Sequence, residues 1–92
     1  MPTWTVYILR CSDGSLYTGI TTNLEARLAK HNDGTGAKYT RSKRPVHLVW
    51  SERKRNEGNA RKREAALKKL TKREKETLVI KKLRSKSERG QP

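Results

Sequence analysis

The stretch from residue 4 to residue 20, WTVYILRC-SDGS-LYTGI, decides the fold of this chain. Trp4–Cys11 is rich in β-branched and aromatic residues, which is typical of a strand. A second run of this kind, Leu16–Ile20, follows after four residues that include Asp13-Gly14. Because Asp-Gly tolerates the positive φ that a tight turn needs, the stretch predicts a β-hairpin.

Alternation along the first strand predicts its place in the sheet. Tyr7 and Leu9 share one face of the strand, whereas Val6 and Ile8 share the other. Both faces are therefore apolar, and the first strand is expected to be central.

The elements that follow are predicted from periodicity and helix-start signals. Two T-x-x-E motifs, Thr22–Glu25 and Thr71–Glu74, fit capping boxes. The predicted elements are a helix over 23–31, a strand over 46–51, a helix from Asn56 or Glu57 to residue 70, and a last helix from residue 71 to Leu83. This order predicts a small α/β (α+β) layer fold, with a three-stranded, mainly antiparallel sheet flanked by helices. We expect one domain over residues 1–83 and a flexible basic tail over 84–92.

A long connection, Asp33–Pro45, joins the first helix to the third strand. It contains two glycines, four basic residues and one aromatic residue, and it exceeds the usual connection of about 4–6 residues. Loops of this length are usually either disordered or functional, so its basic residues become candidates for binding.

The charge of the chain predicts a polyanionic partner. Its 92 residues carry 23 Lys and Arg against 9 Asp and Glu, a net charge of +14 with only 32% hydrophobic residues. Such an excess on a small domain favours nucleic acid, because each neutralised phosphate releases a condensed counterion. Neither a membrane-spanning stretch nor a signal peptide is evident, so we expect a cytoplasmic protein that does not bind membranes. The core is too small for an obvious apolar interface, and a monomer is expected.

Glu64 is the first candidate for chemistry, because it falls within the apolar stripe of its predicted helix. A carboxylate there is costly unless it is paired. Two interpretations remain open: a surface pair with Lys68 one turn later, or a hard oxygen ligand for Mg²⁺ or Mn²⁺, which keeps most of its waters.

Two further pairs of side chains could act together. Arg27 and His31 lie one turn apart at the edge of the apolar stripe of the first helix, where they could hold a phosphate and manage a proton. Tyr7 and Tyr17 lie on adjacent strands within near cross-strand reach. They could be core tyrosines, or they could orient and deprotonate a water.

These positions together resemble the GIY-YIG nuclease family, and within it the small standalone bacterial members, over almost the whole chain. The motif tyrosines match Tyr7 and Tyr17. The matching residues are Thr5-Val6-Tyr7, Tyr17-Thr18-Gly19, Arg27, His31 and Glu64, together with the segment Gly36–Thr40.

The resemblance implies a metal-dependent endonuclease in which water attacks phosphorus in the presence of one divalent ion, Mg²⁺ or Mn²⁺, bound by Glu64. Arg27 would hold the phosphate. Tyr7 or Tyr17 would deprotonate the water, with His31 accepting or relaying the proton. DNA is expected in preference to RNA, with little sequence specificity and with a role in DNA repair or recombination. The residues expected to grip backbone phosphates are Lys38, Tyr39, Arg41, Lys43, Arg44, Arg61, Lys62 and Lys68.

The chain departs from the family pattern at three points. Thr5 and Thr18 replace motif residues at backbone or packing positions. The asparagine that many family nucleases carry beyond the metal glutamate is missing, because residues 65–92 contain none. An alternative interpretation is therefore a basic nucleic-acid-binding module with little or no activity. A structural protein associated with ribosomal RNA would leave the tyrosines, Arg27, His31 and Glu64 unexplained.

Overall fold

A computed structural model describes residues 3–89 as a three-stranded sheet with four helices. The described part contains no helix long and apolar enough to cross a membrane. In chain order the elements are β1 (Trp4–Arg10), β2 (Leu16–Thr21), α1 (Leu24–Asp33), α2 (Lys38–Arg41), β3 (His47–Lys54), α3 (Glu57–Lys68) and α4 (Lys72–Arg89).

The predicted hairpin and the central position of its first strand are confirmed. The strand order is β2-β1-β3, and both ladders are antiparallel. Gly14 sits in the turn at φ +86°, which a side chain would disfavour. Tyr7 pairs with Gly19, and Leu9 pairs with Tyr17. This register fixes the geometry of the site, because it sets a tyrosine directly opposite a glycine.

The two faces of β1 belong to two separate core clusters, as the alternation predicts. Val6 and Ile8 pack with buried residues of β3, α3 and α4. Tyr7 and Leu9 lie on the other face, packed with Cys11 and with residues that include those of α1. The candidate tyrosines are therefore on the α1 face of the sheet.

Local caps explain where three of the helices begin. The Asn56 side chain accepts a hydrogen bond from Asn59 N and caps α3. The predicted capping box before α4 is confirmed, because Thr71 Oγ1 accepts from Glu74 N and Glu74 Oε1 accepts from Thr71 N. The capping box predicted at Thr22 is wrong.

At the start of α1 the cap is the next residue along. The Asn23 side chain accepts from Ala26 N at 3.1 Å, and Thr21 Oγ1 accepts from Asn23 N. An Asn at this position caps at least as well as Thr, so the box motif with Glu25 is not used.

Two element boundaries differ from the prediction by three residues or more. The third strand continues to Lys54 instead of ending at Ser51, because it pairs with β1 as far as Trp4. Helix α4 continues to Arg89 instead of ending at Leu83, so residues 84–89 of the expected tail are helical. Neither Gly nor Pro interrupts this segment, and its Lys, Arg and Glu are good helix formers. Residues 90–92 of the predicted tail lie outside the described residues.

Candidate active site

The centre of the candidate site is the hydroxyl of Tyr7. The ring of this residue is 1% exposed and lies over its cross-strand partner Gly19. A Cβ on Gly19 would come within 2.5 Å of Tyr7 Oη and 2.6 Å of Tyr7 Cζ, so only glycine fits there. Tyr17, two residues before Gly19, is half-buried, with its ring centroid 6.5 Å from that of Tyr7. The expected proximity of the two tyrosines is therefore confirmed.

Helix α1 brings His31 to this hydroxyl. His31 Nε2 lies 2.9 Å from Tyr7 Oη, and the imidazole packs edge-on against the rings of Tyr7 and Tyr17. The sequence predicts His31 at the edge of the helix stripe, but the residue is completely buried. The connection after α1 covers it: a Cβ on Gly36 would lie 2.7 Å from His31 Nδ1.

Burial governs the protonation of both groups. Burial raises the pKa of the Tyr7 phenol, an effect that hydrogen bonding to Arg27 partly offsets and that the charge of Glu64 reinforces. Burial, and then the charge of Arg27, lower the pKa of His31. The pair is therefore a neutral phenol and a neutral imidazole near pH 7, and the imidazole is free to accept a proton.

Arg27 lies one turn before His31 and supplies positive charge beside the tyrosines. Its interaction with the Tyr7 hydroxyl raises the pKa of Arg27, and Tyr17 adds to the rise. The side chain is partly exposed. A guanidinium with exposed donors beside a buried phenol can bind a phosphate oxygen and keep that phosphate next to the phenol.

Glu64 is on α3, which packs against β1 and β2. Its side chain is 20% exposed and pairs with Lys68 at 3.4 Å, so the predicted surface pair is present. The charge of the Glu64 carboxylate also makes a small contribution to the raised pKa of Tyr7. The two interpretations of Glu64 are thus compatible, because the flexible Lys68 side chain is 56% exposed and can move away.

The donor set fits a single hard divalent ion with an open shell. Within residues 3–89 no cluster of three or more His, Cys, Asp or Glu side chains could hold a metal. If Glu64 binds a metal, it would therefore do so as a single carboxylate ligand. Mg²⁺ commonly binds through one or two carboxylates and takes its other ligands from water and substrate phosphates.

The aromatic side of the site extends onto α2. Tyr39, which is 44% exposed, stacks on Tyr17 with ring centroids 5.8 Å apart and an interplanar angle of 27°. Lys43 Nζ lies 4.4 Å from the centroid of the Tyr39 ring. Two of the predicted nucleic-acid-binding residues therefore lie at the margin of the tyrosine centre.

The other predicted binding residues are at the surface, but contacts with the tyrosine centre are not seen for them. Arg44 donates to Arg41 O at 2.8 Å, so this guanidinium is partly engaged. Arg61 pairs with Glu57 at 2.6 Å and Lys68 pairs with Glu64. The side chains exposed to solvent in this group are Lys38, Arg41, Arg44, Arg61, Lys62 and Lys68.

Two residues that organise the long connection were not predicted as site residues. Thr40 is completely buried and its hydroxyl lies 2.8 Å from His31 Nδ1. Asn32 exchanges two hydrogen bonds with the backbone of Val46. The only sequence signal for Thr40 is its position in the Gly36–Thr40 segment, which marks the loop as functional without indicating a contact with His31.

The fold and this constellation define a GIY-YIG catalytic domain. The family model of that domain matches residues 3–88, so the chain belongs to the GIY-YIG family, a family of endonucleases that generally use a divalent metal. The predicted membership is confirmed.

More particularly, the chain is similar to small proteins named UPF0213. It is 54% identical over 79 residues to a UPF0213 protein of Desulfotalea psychrophila, covering 85% of this chain and 72% of that protein. It is 51% identical to one of Staphylococcus aureus, covering 80% and 90%.

Two solution NMR structures have the same fold. A UPF0213 protein of Bacillus halodurans has a TM-score of 0.56 at 45% identity, covering 85% of this chain and 83% of that chain. A protein of E. faecalis has a TM-score of 0.61 at 47% identity, covering 88% and 86%. These likenesses are consistent with a standalone domain.

Proposed function

We propose that this protein is a divalent-metal-dependent endonuclease that hydrolyses phosphodiester bonds in nucleic acid. The observation that carries the proposal is the buried hydrogen bond between Tyr7 Oη and His31 Nε2, beside Arg27. A buried phenol that is hydrogen-bonded to a neutral imidazole and lies next to a cation suits proton abstraction from a water beside a phosphate.

Tyr7, in preference to Tyr17, activates the water. Tyr7 is the tyrosine whose hydroxyl lies at hydrogen-bond distance from His31, whereas Tyr17 contacts the imidazole through its ring. The water proton passes to Tyr7 Oη as the phenol proton passes to His31 Nε2. The raised pKa of Tyr7 favours this coupled transfer, because a free phenolate is disfavoured at the buried position.

Arg27 holds the phosphate and the charge that develops on it in the transition state. Glu64 would hold the divalent ion, and when bound that ion supplies Lewis-acid stabilisation of the leaving oxygen. Mg²⁺ or Mn²⁺ suits a lone carboxylate with water and phosphate as the remaining ligands.

The substrate is DNA in preference to RNA, cut with little sequence specificity. The net charge of +14 supports tight binding to the phosphate backbone, and such contacts position a strand without reading its bases. A nuclease of this kind suits repair or recombination, where a structural feature of the DNA selects the site of cleavage.

One observation favours a second candidate, a nucleic-acid-binding module of low activity. The ammonium of Lys68 lies 3.4 Å from the Glu64 carboxylate and competes with a metal for it. In that case the chain would bind nucleic acid tightly and cleave it slowly unless the metal is in large excess.

The test compares wild type with Glu64→Gln on end-labelled single-stranded, duplex and branched DNA and RNA, in Mg²⁺, in Mn²⁺ and in EDTA. Glu25→Gln is the matched control, because it removes the same charge from an exposed position in the first turn of α1. We expect wild type and the control to cleave in the presence of metal. EDTA should abolish this cleavage, and the Glu64→Gln protein should not cleave. Tight binding by wild type without cleavage under either metal would contradict the proposal and support the binding module.

A further inference from the structure

The hydroxyl of Thr40 occupies a position that the nuclease chemistry described above does not use. Thr40 lies on α2 within the long connection and is completely buried. Its Oγ1 is 2.8 Å from His31 Nδ1 and 3.0 Å from Ala37 O. The hydroxyl therefore links the far side of the imidazole to the backbone of its own loop.

The number of hydrogens that each group can donate decides the direction of the hydrogen bonds among His31, Thr40 and Ala37. A threonine hydroxyl has one hydrogen to donate, and a backbone carbonyl can only accept. If Thr40 donates its hydrogen to Ala37 O, then Thr40 Oγ1 must accept from His31 Nδ1. In a neutral imidazole the second nitrogen, Nε2, then carries a free lone pair. This lone pair faces Tyr7 Oη at 2.9 Å.

The loop also keeps the imidazole of His31 in this orientation. A Cβ on Gly36 would lie 2.7 Å from His31 Nδ1 and 2.8 Å from His31 Cα, so the backbone lies directly against the imidazole. On the other side the ring meets Tyr7 and Tyr17 edge-on. These contacts keep the orientation of the imidazole, and its two hydrogen-bond partners then decide which nitrogen carries the proton.

We propose that Thr40 is a positioning residue that fixes neutral His31 as the tautomer with hydrogen on Nδ1, which leaves Nε2 to accept the phenol proton of Tyr7. The catalytic consequence rests on the proposed nuclease function. In the opposite tautomer Nε2–H would point at Tyr7 Oη, and the imidazole could not take the phenol proton.

The proton and electron count of the step balances. A water O–H bond breaks, its electron pair forms the new O–P bond, and its proton goes to Tyr7 Oη. The proton of Tyr7 moves to His31 Nε2 and gives an imidazolium that retains Nδ1–H on Thr40. The P–O bond to the leaving oxygen breaks, and that oxygen departs with the bonding pair.

The first experiment needs no variant and no substrate. The ¹⁵N chemical shifts of the His31 ring in the free wild-type protein, at a pH above its titration, report which nitrogen carries hydrogen. The groups facing the ring are the aromatic rings of Tyr7 and Tyr17 and the charge of Arg27. We expect hydrogen on Nδ1. Hydrogen on Nε2 would overturn the proposal outright.

The second experiment measures the effect on cleavage. Thr40→Val removes the hydroxyl at nearly constant shape, and Thr40→Ser keeps it. We expect Thr40→Val to lower kcat by about 10–100-fold with KM nearly unchanged, because positioning partners of a reactive His contribute on this scale. Thr40→Ser should recover most of kcat and the wild-type pH profile.

Thr77→Val is the matched control for loss of a threonine hydroxyl. Thr77 is exposed on α4, and its Oγ1 also donates to a backbone carbonyl, that of Arg73. This variant should cleave as wild type does. A Thr40→Val protein with wild-type kcat and pH profile would overturn the positioning role.

The two experiments separate the two proposals. If the ¹⁵N shifts place hydrogen on Nδ1 but wild type cleaves no substrate, the tautomer assignment stands and the proposed function fails. If Thr40→Val does not fold, the wild-type shifts and Thr40→Ser still decide the assignment.

Discussion

Adding one methyl group at Gly19 tests the packing on which the site depends. Gly19→Ala would put a Cβ 2.5 Å from Tyr7 Oη, 2.6 Å from Tyr7 Cζ and 3.2 Å from Tyr17 Cε2. Favourable contacts between carbon atoms lie at about 3.5–4.0 Å. Because Tyr7 is only 1% exposed, its ring cannot swing into solvent. Either the β1–β2 pairing or the Tyr7–His31 contact must therefore shift.

The expected cost follows from this clash. Overpacking a tight site typically costs about 1–3 kcal/mol. Replacing glycine by alanine also stabilises the folded state by about 0.4–1 kcal/mol, because it lowers the conformational entropy of the unfolded chain. We expect a net loss of about 1–2 kcal/mol in the free energy of unfolding, which for a chain of this size lowers Tm by about 4–16 °C.

Gly58→Ala is the matched control. Gly58 lies in the first turn of α3, where an added Cβ would meet only Asn56 Oδ1 at 3.4 Å. Since alanine is the better helix former by about 0.5–1 kcal/mol, this variant should be more stable than wild type.

Urea unfolding followed by circular dichroism measures both variants. With a slope of about 1–2 kcal/mol/M, the midpoint for Gly19→Ala should fall by about 0.5–2 M and that for Gly58→Ala should rise. An equal effect of the two substitutions, or a Gly19→Ala protein as stable as wild type, would refute the packing argument. Gly19→Ala should also lose cleavage activity, because the Tyr7 hydroxyl is displaced.

Four further perturbations have expected outcomes. The Thr18 hydroxyl is buried and finds no hydrogen-bond partner within the described part of the chain, so Thr18→Val should raise the free energy of unfolding by about 1 kcal/mol in urea melts. Thr71→Ala removes the cap of α4 and should cost about 1 kcal/mol, with some loss of helical circular dichroism. Burial lowers the pKa of His31 in the folded state, so the unfolded state binds more protons below about pH 6.5. Stability should therefore fall as the pH drops from 6.5 towards 5, by at most about 1.4 kcal/mol per pH unit, and His31→Phe should flatten that slope in pH-dependent melts. EDTA should abolish cleavage while leaving Tm unchanged, because the proposed ion would be bound by the Glu64 carboxylate alone, and no cluster of metal ligands within residues 3–89 couples metal binding to folding.

The parts of the fold that depend on local signals could be predicted from the sequence. The hairpin follows from the turn at Gly14, and the capping box at Thr71 sets the start of α4. The central position of β1 follows from its two apolar faces. In each case the deciding contacts join residues close in the chain, or depend on which face of a strand is buried.

The parts that were missed depend on contacts distant in sequence. Where β3 ends is set by its pairing with β1, not by its own residues. The burial of His31 depends on a loop that folds back over it, with Gly36 and Thr40 supplying the close contacts. No periodicity in residues 33–45 indicates that this loop covers the imidazole.

The candidate site also divides into residues that the sequence predicts and contacts that only the structure shows. The order and spacing of Tyr7, Tyr17, Arg27 and His31 are enough to predict, through the family resemblance, that they form one site. The choice between the tyrosines needs the cross-strand register and the hydrogen bond to His31, which only the folded structure provides.

The central claim is that the Tyr7 hydroxyl activates the attacking water. The measurement that tests it most directly compares cleavage by Tyr7→Phe with cleavage by Tyr17→Phe. Tyr7→Phe removes a single oxygen, the one that faces His31, and leaves the ring in the core. Loss of a general base typically costs about 10²–10⁴-fold in rate. We predict that Tyr7→Phe loses at least about 100-fold in kcat while binding nucleic acid as tightly as wild type, and that Tyr17→Phe loses much less. A Tyr7→Phe protein that cleaves at the wild-type rate would contradict the account.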